Sequence, residues 1–173
     1  MLTDTEASLW SPPSNDRDQE PSALEALRAV PLFSDLKNSE LKRLLRIMHD
    51  RTYQSGEVIF REGDLGAGMF IIKRGAVSIV ITLPGGAERE ITRLTERQFF
   101  GEIALLEDAP RSASAVATER TEVLGFFEPD LEGLMERDTK LGSRVLWQLA
   151  RLMATRLRTT NESLRAQRQT DGR

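Results

Sequence analysis

The sequence has no cysteine among its 173 residues. Disulfide staples, thiolate nucleophiles, iron–sulfur clusters and cysteine-ligated zinc are therefore excluded. Histidine is almost missing too, with His49 the only one. Metal sites in barrel folds draw on two or three imidazoles, and one cannot supply that set. His49 itself is expected on a helix, at the surface or partly packed. No apolar run approaches the roughly 18 residues of a membrane-spanning helix. The first ten residues, MLTDTEASLW, are acidic and lack the basic-then-apolar layout of a secretion signal, so a cytoplasmic protein is expected. A large charge of one sign is also absent: 24 lysines and arginines face 27 aspartates and glutamates, a net of −3. That balance argues against a general nucleic-acid binder.

What is present is ordinary in bulk and uneven in detail. Hydrophobic residues make up 39% and charged residues 29%, as in a soluble globular domain. The length suffices for one domain with a real core. Residues 1–20 carry five acids and one base. Residues 140–173 carry eight bases (Lys140, Arg144, Arg151, Arg156, Arg158, Arg165, Arg168 and Arg173) and two acids. Charge runs are most often solvated helix faces, and Arg165, Arg168 and Arg173 read that way.

Periodicity divides the chain. Residues 1–21 read as a flexible leader, with SPPSND as a breaker cluster. A helix is expected over SALEALRAV, with Ser22 as N-cap, Glu25 completing a capping box, and Pro31 beyond its end. A second, NSELKRLLRIMHD, places Leu41, Leu44, Leu45 and Met48 on one face. Then the period shortens. Segments rich in Val, Ile and Phe, cut by turns at Gly63–Asp64 and Pro84–Gly85–Gly86, predict seven or eight short strands, the last over Thr121–Phe127. From Pro129 the helical period returns in a short helix and a long one. Helices, strands, helices is the order of an α+β fold, a small β-barrel or jelly roll flanked by N-terminal helices and a long C-terminal helix. The folded domain is expected over 22–160, with 161–173 a basic, frayed tail.

One stretch interrupts the strands: FGEIALLEDAPRSASAV, Phe100 to Val116. Gly101 and Glu102 open a turn or two of helix that closes before Pro110. Backbone N–H groups at a helix start attract anions. Arg111 can give a planar, charge-assisted pair of hydrogen bonds to a phosphate, and Ser112 adds a hydroxyl. Glu102 repels a phosphate but suits a sugar hydroxyl. Alone, Glu102 and Arg111 would read as a surface ion pair. The glycine and the helix start between strands point instead to a ligand carrying a phosphate and a ribose. Ser112 and Ser114 have no base partner, so nucleophilic hydrolysis is not expected.

This stretch resembles the phosphate-binding cassette of cyclic-nucleotide-binding domains, the type found in catabolite activator proteins and protein kinase A regulatory subunits. VPLFSDLKNSELKRLLRIM resembles the family's first helices, and YQSGEVIFREGDLGAGMFIIKRGAVSIVI its first strands, with Gly56, Gly63 and Gly75 at its turns. The resemblance covers residues 30–160. It implies that Glu102 holds the ribose 2′-hydroxyl and that Arg111 pairs with the cyclic phosphate. It also implies that the N–H groups of Ala104 and Ser112 meet the phosphate and that Gly101 permits close approach. Ile103 and Ala113 complete the implied ligand set. No cofactor, no metal and no enzymatic activity are implied. The implied ligand is a cyclic nucleotide. A hydroxyl after the arginine, here Ser112, can accept from a guanine amino group, yet serine also occurs there in cyclic-AMP readers. Cyclic AMP is favoured over cyclic GMP. The family's glycine just before FFGE is absent, with Glu96 and Arg97 in that loop.

Bacterial members usually carry a helix-turn-helix after the long helix, and no such segment precedes Arg173. The expectation is therefore a stand-alone sensor that changes shape and signals to a protein partner, without direct DNA binding or membrane contact. The alternative is an interaction or scaffold protein with a vestigial pocket. The long helix shows two apolar stripes. Leu141, Val145, Leu149 and Leu152 would pack on the barrel. Leu146, Ala150, Met153, Leu157, Thr160 and Leu164 have coiled-coil spacing and would pair two subunits in a homodimer. Trp147 is expected to pack.

Overall fold

The computed structural model describes residues 16–171. Most of the expected leader thus lies outside the described residues. Helix α1 (Asp16–Ala29) begins earlier than the expected cap, so Ser22 sits inside the helix. The polar run DRDQE extends the amphipathic segment through Pro21, whose missing N–H forfeits one helical bond. Glu25 closes no capping box and instead accepts from Arg97 at 3.1 Å. Helix α2 (Asn38–Leu45) is fixed at its start by the Lys37 N–H, which donates to Glu40 Oε2 at 2.8 Å. Leu41, Leu44 and Met48 are buried, as their spacing predicts.

Eight strands follow: β1 (His49–Tyr53), β2 (Val58–Phe60), β3 (Gly68–Arg74), β4 (Val77–Thr82), β5 (Glu88–Leu94), β6 (Phe99–Phe100), β7 (Ser114–Ala117) and β8 (Thr121–Phe127). They form two antiparallel four-stranded sheets, ordered β1-β8-β3-β6 and β2-β7-β4-β5. This is the expected jelly roll. His49 is a correction: it opens β1, opposite Gly125 of β8, rather than sitting on a helix. Backbone pairing with β8 outweighs the local helical pattern there. β3 is apolar on both faces because both are covered. Phe70 and Ile72 meet the inner core with Val77, Phe100 and Val123. Met69 and Ile71 face the helical side with Leu27, Phe33, Leu41 and Leu124. Phe33 meets Phe126 edge-to-face at 6.3 Å.

The loop before β6, where the family has a glycine, needs a left-handed residue. Arg97 takes that conformation with φ +66°, at a steric cost of about 1–2 kcal/mol for a non-glycine residue. Its N–H donates to the Ile72 carbonyl at 2.8 Å and its side chain reaches Glu25. The departure seen in the sequence is thus accommodated by strain and tethered to α1.

Helix α3 (Glu128–Arg137) leads to α4 (Thr139–Asp171). Backbone helix continues to Asp171, through most of the segment expected as a basic tail. α4 is strapped to the N-terminal helices: Arg144 donates to Glu40 Oε1 at 2.6 Å and to the Asp35 carbonyl at 2.7 Å. Gln148 adds a bond to Asp35 Oδ2 at 2.6 Å. The Lys37 N–H, then Arg144, hold the Glu40 carboxyl below the ordinary carboxylate range, with burial pulling the other way. Leu141, Val145 and Leu149 are buried and Leu152 packs against them, as expected. The second stripe needs correcting. Met153 turns to the core, because it lies one position from Leu152 on the barrel side. Trp147, expected to pack, is 68% exposed. The outward stripe therefore runs through Trp147, Ala150, Ala154, Leu157 and Asn161, all exposed. The side chain of Leu164 lies outside the described residues. No helix among the described residues is long and apolar enough to cross a membrane.

Candidate functional site

Between β6 and β7 the chain makes one 3-10 turn, Glu102–Leu105. Gly101 precedes it with φ +78°, a left-handed conformation that L side chains rarely adopt. An added Cβ there would come within 2.7 Å of Arg111 Nη1. The close approach anticipated at Gly101 is therefore an approach to the arginine. The backbone of the β2–β3 loop holds that arginine from the other side. The Arg111 N–H donates to the Asp64 carbonyl at 2.8 Å, and its own carbonyl accepts from Gly63 at 2.9 Å.

The Arg111 guanidinium is half-buried. Nη1 donates to the Gly101 carbonyl at 3.0 Å and Nη2 to the Gly68 carbonyl at 2.7 Å. Its carbon lies 4.1 Å from the centre of the Phe60 ring, a cation–π contact. Nε is buried and has no hydrogen-bond partner among the described residues. Burial pushes the Arg111 pKa down, while Asp64 and Glu102 push it up. An arginine remains charged through such a shift. A half-buried cation with one buried donor unused favours an anion beside it.

Glu102 is 2% exposed. A lone carboxylate at such a place would be costly, and Arg156 of α4 supplies its ion pair. The Arg156 guanidinium carbon also lies 5.2 Å from the centre of the Phe99 ring. In the sequence Arg156 counts only among the bases of the C-terminal segment, and this contact is not foreseen. The signal was present: Leu141, Val145, Leu149 and Leu152 form the buried stripe of α4, and the next position on it is Arg156.

A cavity of about 470 Å³ gathers these groups, within the range of small-molecule sites. All seven sequence-predicted residues line it: Gly101, Glu102, Ile103, Ala104, Arg111, Ser112 and Ala113. Phe60, Ile79, Leu94, Phe99 and Phe100 form apolar wall, with Thr92 among them and Arg156 from α4. Polar groups concentrate around the turn and the arginine. The arrangement suits a ligand with an anionic end, hydroxyls beside it and a flat apolar body. Two further bonds shape the cassette. The Ala104 N–H closes the turn by donating to the Gly101 carbonyl at 3.2 Å. Ser114, two residues past Ser112, accepts from the Glu62 N–H at 2.8 Å, a structural role. Gly66 and Gly68 were not singled out, yet both are steric requirements of the site. A Cβ on Gly66 would meet Ala104 at 2.6 Å, and one on Gly68 would meet the Phe126 carbonyl at 2.4 Å. Among the described residues no His, Asp and Glu cluster could hold a metal ion.

Comparison with known proteins agrees with this geometry. The family profile described as "Cyclic nucleotide-binding domain" matches residues 50–138. The "Cyclic AMP receptor protein" of Thermus thermophilus is 38% identical over 138 residues, which is 80% of this chain and 62% of that protein. The "cAMP-dependent protein kinase type II regulatory subunit" of Drosophila melanogaster is 38% identical over 104 residues, 60% of this chain and 27% of that one. A crystal structure of a cyclic nucleotide-binding domain from Methylobacillus flagellatus superposes with a TM-score of 0.71 at 27% identity, covering 83% of this chain and 80% of that one. The chain thus spans under two thirds of the length of the first two relatives, and the match rests on the domain they share. The family profile spans the cassette and nearly all of the jelly roll: the chain belongs to the cyclic nucleotide-binding domain family.

Proposed function

We propose that the protein is a cyclic-nucleotide sensor that binds cyclic AMP in this cavity and passes the change to a protein partner through α4. One observation carries the reading: a half-buried arginine with an unused buried donor shares a single cavity with a buried carboxylate. Arg111 receives the cyclic phosphate, Glu102 the ribose 2′-hydroxyl, and the Gly101–Ala104 turn and Ser112–Ala113 border them. The apolar wall takes the purine. Both named relatives above carry cyclic AMP in their names, which favours it over cyclic GMP. A vestigial pocket is the less favoured reading, because the acid and the arginine are both present. The protein acts by binding rather than catalysis and works in the cytoplasm. Titration calorimetry with the two nucleotides tests the reading, with thermal unfolding alongside. Cyclic AMP at 100 times its Kd is expected to stabilise the fold by about 2.7 kcal/mol. Cyclic GMP is expected to bind at least about tenfold more weakly, a gap of about 1.4 kcal/mol. Absence of heat and of stabilisation with either nucleotide overturns the assignment, and tighter cyclic GMP binding reverses the base preference.

The same helix offers a dimer seam. Trp147, Ala150, Ala154, Leu157 and Asn161 follow three-four spacing on the outward face of α4. The alanines allow close approach, and an asparagine at a core position favours a parallel, in-register pair with a second copy. Sedimentation of the wild type and of Ala154→Glu/Leu157→Glu checks this. The wild type is expected to be dimeric at micromolar concentration and the variant monomeric. Both substituted side chains are exposed, so the domain should stay folded. A wild type that stays monomeric at high micromolar concentration, with and without cyclic AMP, removes the seam.

A further inference from the structure

We propose that His49 is a proton-responsive positioning residue for Arg111, so that pH and cyclic-nucleotide affinity are linked. The inference rests on Arg111 as the phosphate ligand. His49 Nε2 lies 3.2 Å from both Asp130 carboxylate oxygens. Its ring packs on Phe127, with centroids 5.3 Å apart. Asp130 also accepts the Phe127 N–H at 2.9 Å. His49 and Asp130 therefore pin Phe127, the last residue of β8, from ring and backbone together.

Phe127 pairs in register with Gly68 of β3. The contact is tight: a Cβ on Gly68 would lie 2.7 Å from both Phe127 Cα and Cδ1. The following N–H, that of Glu128, donates to the Ala67 carbonyl at 2.9 Å. The Gly68 carbonyl is in turn the acceptor of Arg111 Nη2 at 2.7 Å. The path from imidazole to guanidinium thus crosses one strand pair and contains no gap. An anion that draws Nη2 away from Gly68 requires this strand end to readjust. An imidazolium paired with Asp130 resists that readjustment more than a neutral imidazole does, because the bond becomes charge-assisted. Acid is thus expected to weaken binding. By reciprocity, the nucleotide makes His49 easier to deprotonate.

Other charges flank the joint, including Arg137 of α3, which lines a surface pocket with Asp130 and Arg43, and Glu132, which acts on Glu128. On β1, Asp50 pairs with Lys73, and the Arg51 side chain donates to the Asp50 carbonyl. Arg43 of α2 pairs with Asp138. Glu128, two residues before Asp130, faces Asp108 of the cassette loop, and that like charge raises its carboxyl above the ordinary range. A Glu128→Gln background removes this second proton site from the measurement.

The chain has a single histidine, so its imidazole gives one proton NMR titration curve. The test measures that curve without and with saturating cyclic AMP, together with calorimetry between pH 5.5 and 8.5. The expected result is a midpoint lowered by about half a pH unit with ligand, and affinity about threefold weaker at the acid end. In His49→Gln the pH dependence of affinity should vanish. In Asp130→Asn, which keeps an acceptor for Phe127 and loses the charge, it should shrink. Binding with superimposable titration curves, or an equal pH slope in His49→Gln, overturns the linkage and leaves the ligand assignment intact. Absence of any binding heat removes the ligand assignment and the linkage with it.

Discussion

Replacing Arg111 with alanine is expected to reduce cyclic-AMP affinity by roughly 30- to 1000-fold, or about 2–4 kcal/mol. The phosphate loses its charged partner at a half-buried position, where solvent compensates poorly. The substitution also strands the Gly68 and Gly101 carbonyls and removes the cation from the Phe60 ring. Some loss of fold stability is therefore expected as well, and thermal unfolding without ligand separates the two effects. Arg111→Lys sharpens the test. It keeps the charge but cannot serve two carbonyls and a phosphate at once from a planar fork. Its affinity should fall between those of wild type and alanine variant. Glu102→Ala should lose less affinity than Arg111→Ala, since the ribose hydroxyl is neutral. Unchanged affinity in Arg111→Ala would exclude this cavity as the nucleotide site.

The second large effect concerns the pair that joins the cassette to α4. Arg156→Met is expected to destabilise the fold by about 2 kcal/mol, below the several kcal/mol typical of a fully buried pair. Glu102 is 3% exposed on its side chain, but Arg156 is 48% exposed, and water screens part of the interaction. Most of the loss comes from the carboxylate left without a partner. Glu102→Gln in the same chain should therefore recover more than half of it. Urea unfolding of both single variants and the double variant forms a double-mutant cycle. Strict additivity would mean that the two side chains do not support each other, and the coupling of α4 to the turn would have to run through packing alone.

Much of the fold was legible because local and tertiary preferences agree. The bounds expected for the last strand, Thr121–Phe127, match β8, where apolar residues meet both layers of core. That the seven expected residues gather around one cavity was legible because they lie within one short stretch. The failures have a common cause in distant contacts. β1 reads HDRTY, with four of its five residues exposed, so only pairing with β8 makes it a strand. Arg156 lies far from Glu102 in sequence, and its role depends on how α4 crosses the cassette. The outward stripe of α4 was misread by one position at Met153, because the rotation of a helix about its axis is set by what it packs against. The residue type of Arg97 gives no sign of its left-handed backbone, and only the glycine that the resemblance puts in this loop points to it.

The sheet order has a consequence for biosynthesis. Among the described residues β8 sits between β1 and β3 and is bonded to both. β1 emerges from the ribosome before the other described strands, yet its partner, β8, is the last of them to be made. Until β8 appears, β3 has only the two-residue β6 beside it, and its apolar faces lack their main cover. Sequence-distant pairing of this kind slows folding and leaves nascent strands open to wrong partners. Completion of the first sheet therefore waits for the last of the described strands. It coincides with the synthesis of Phe127, the residue that pairs with Gly68 and leads directly into α3.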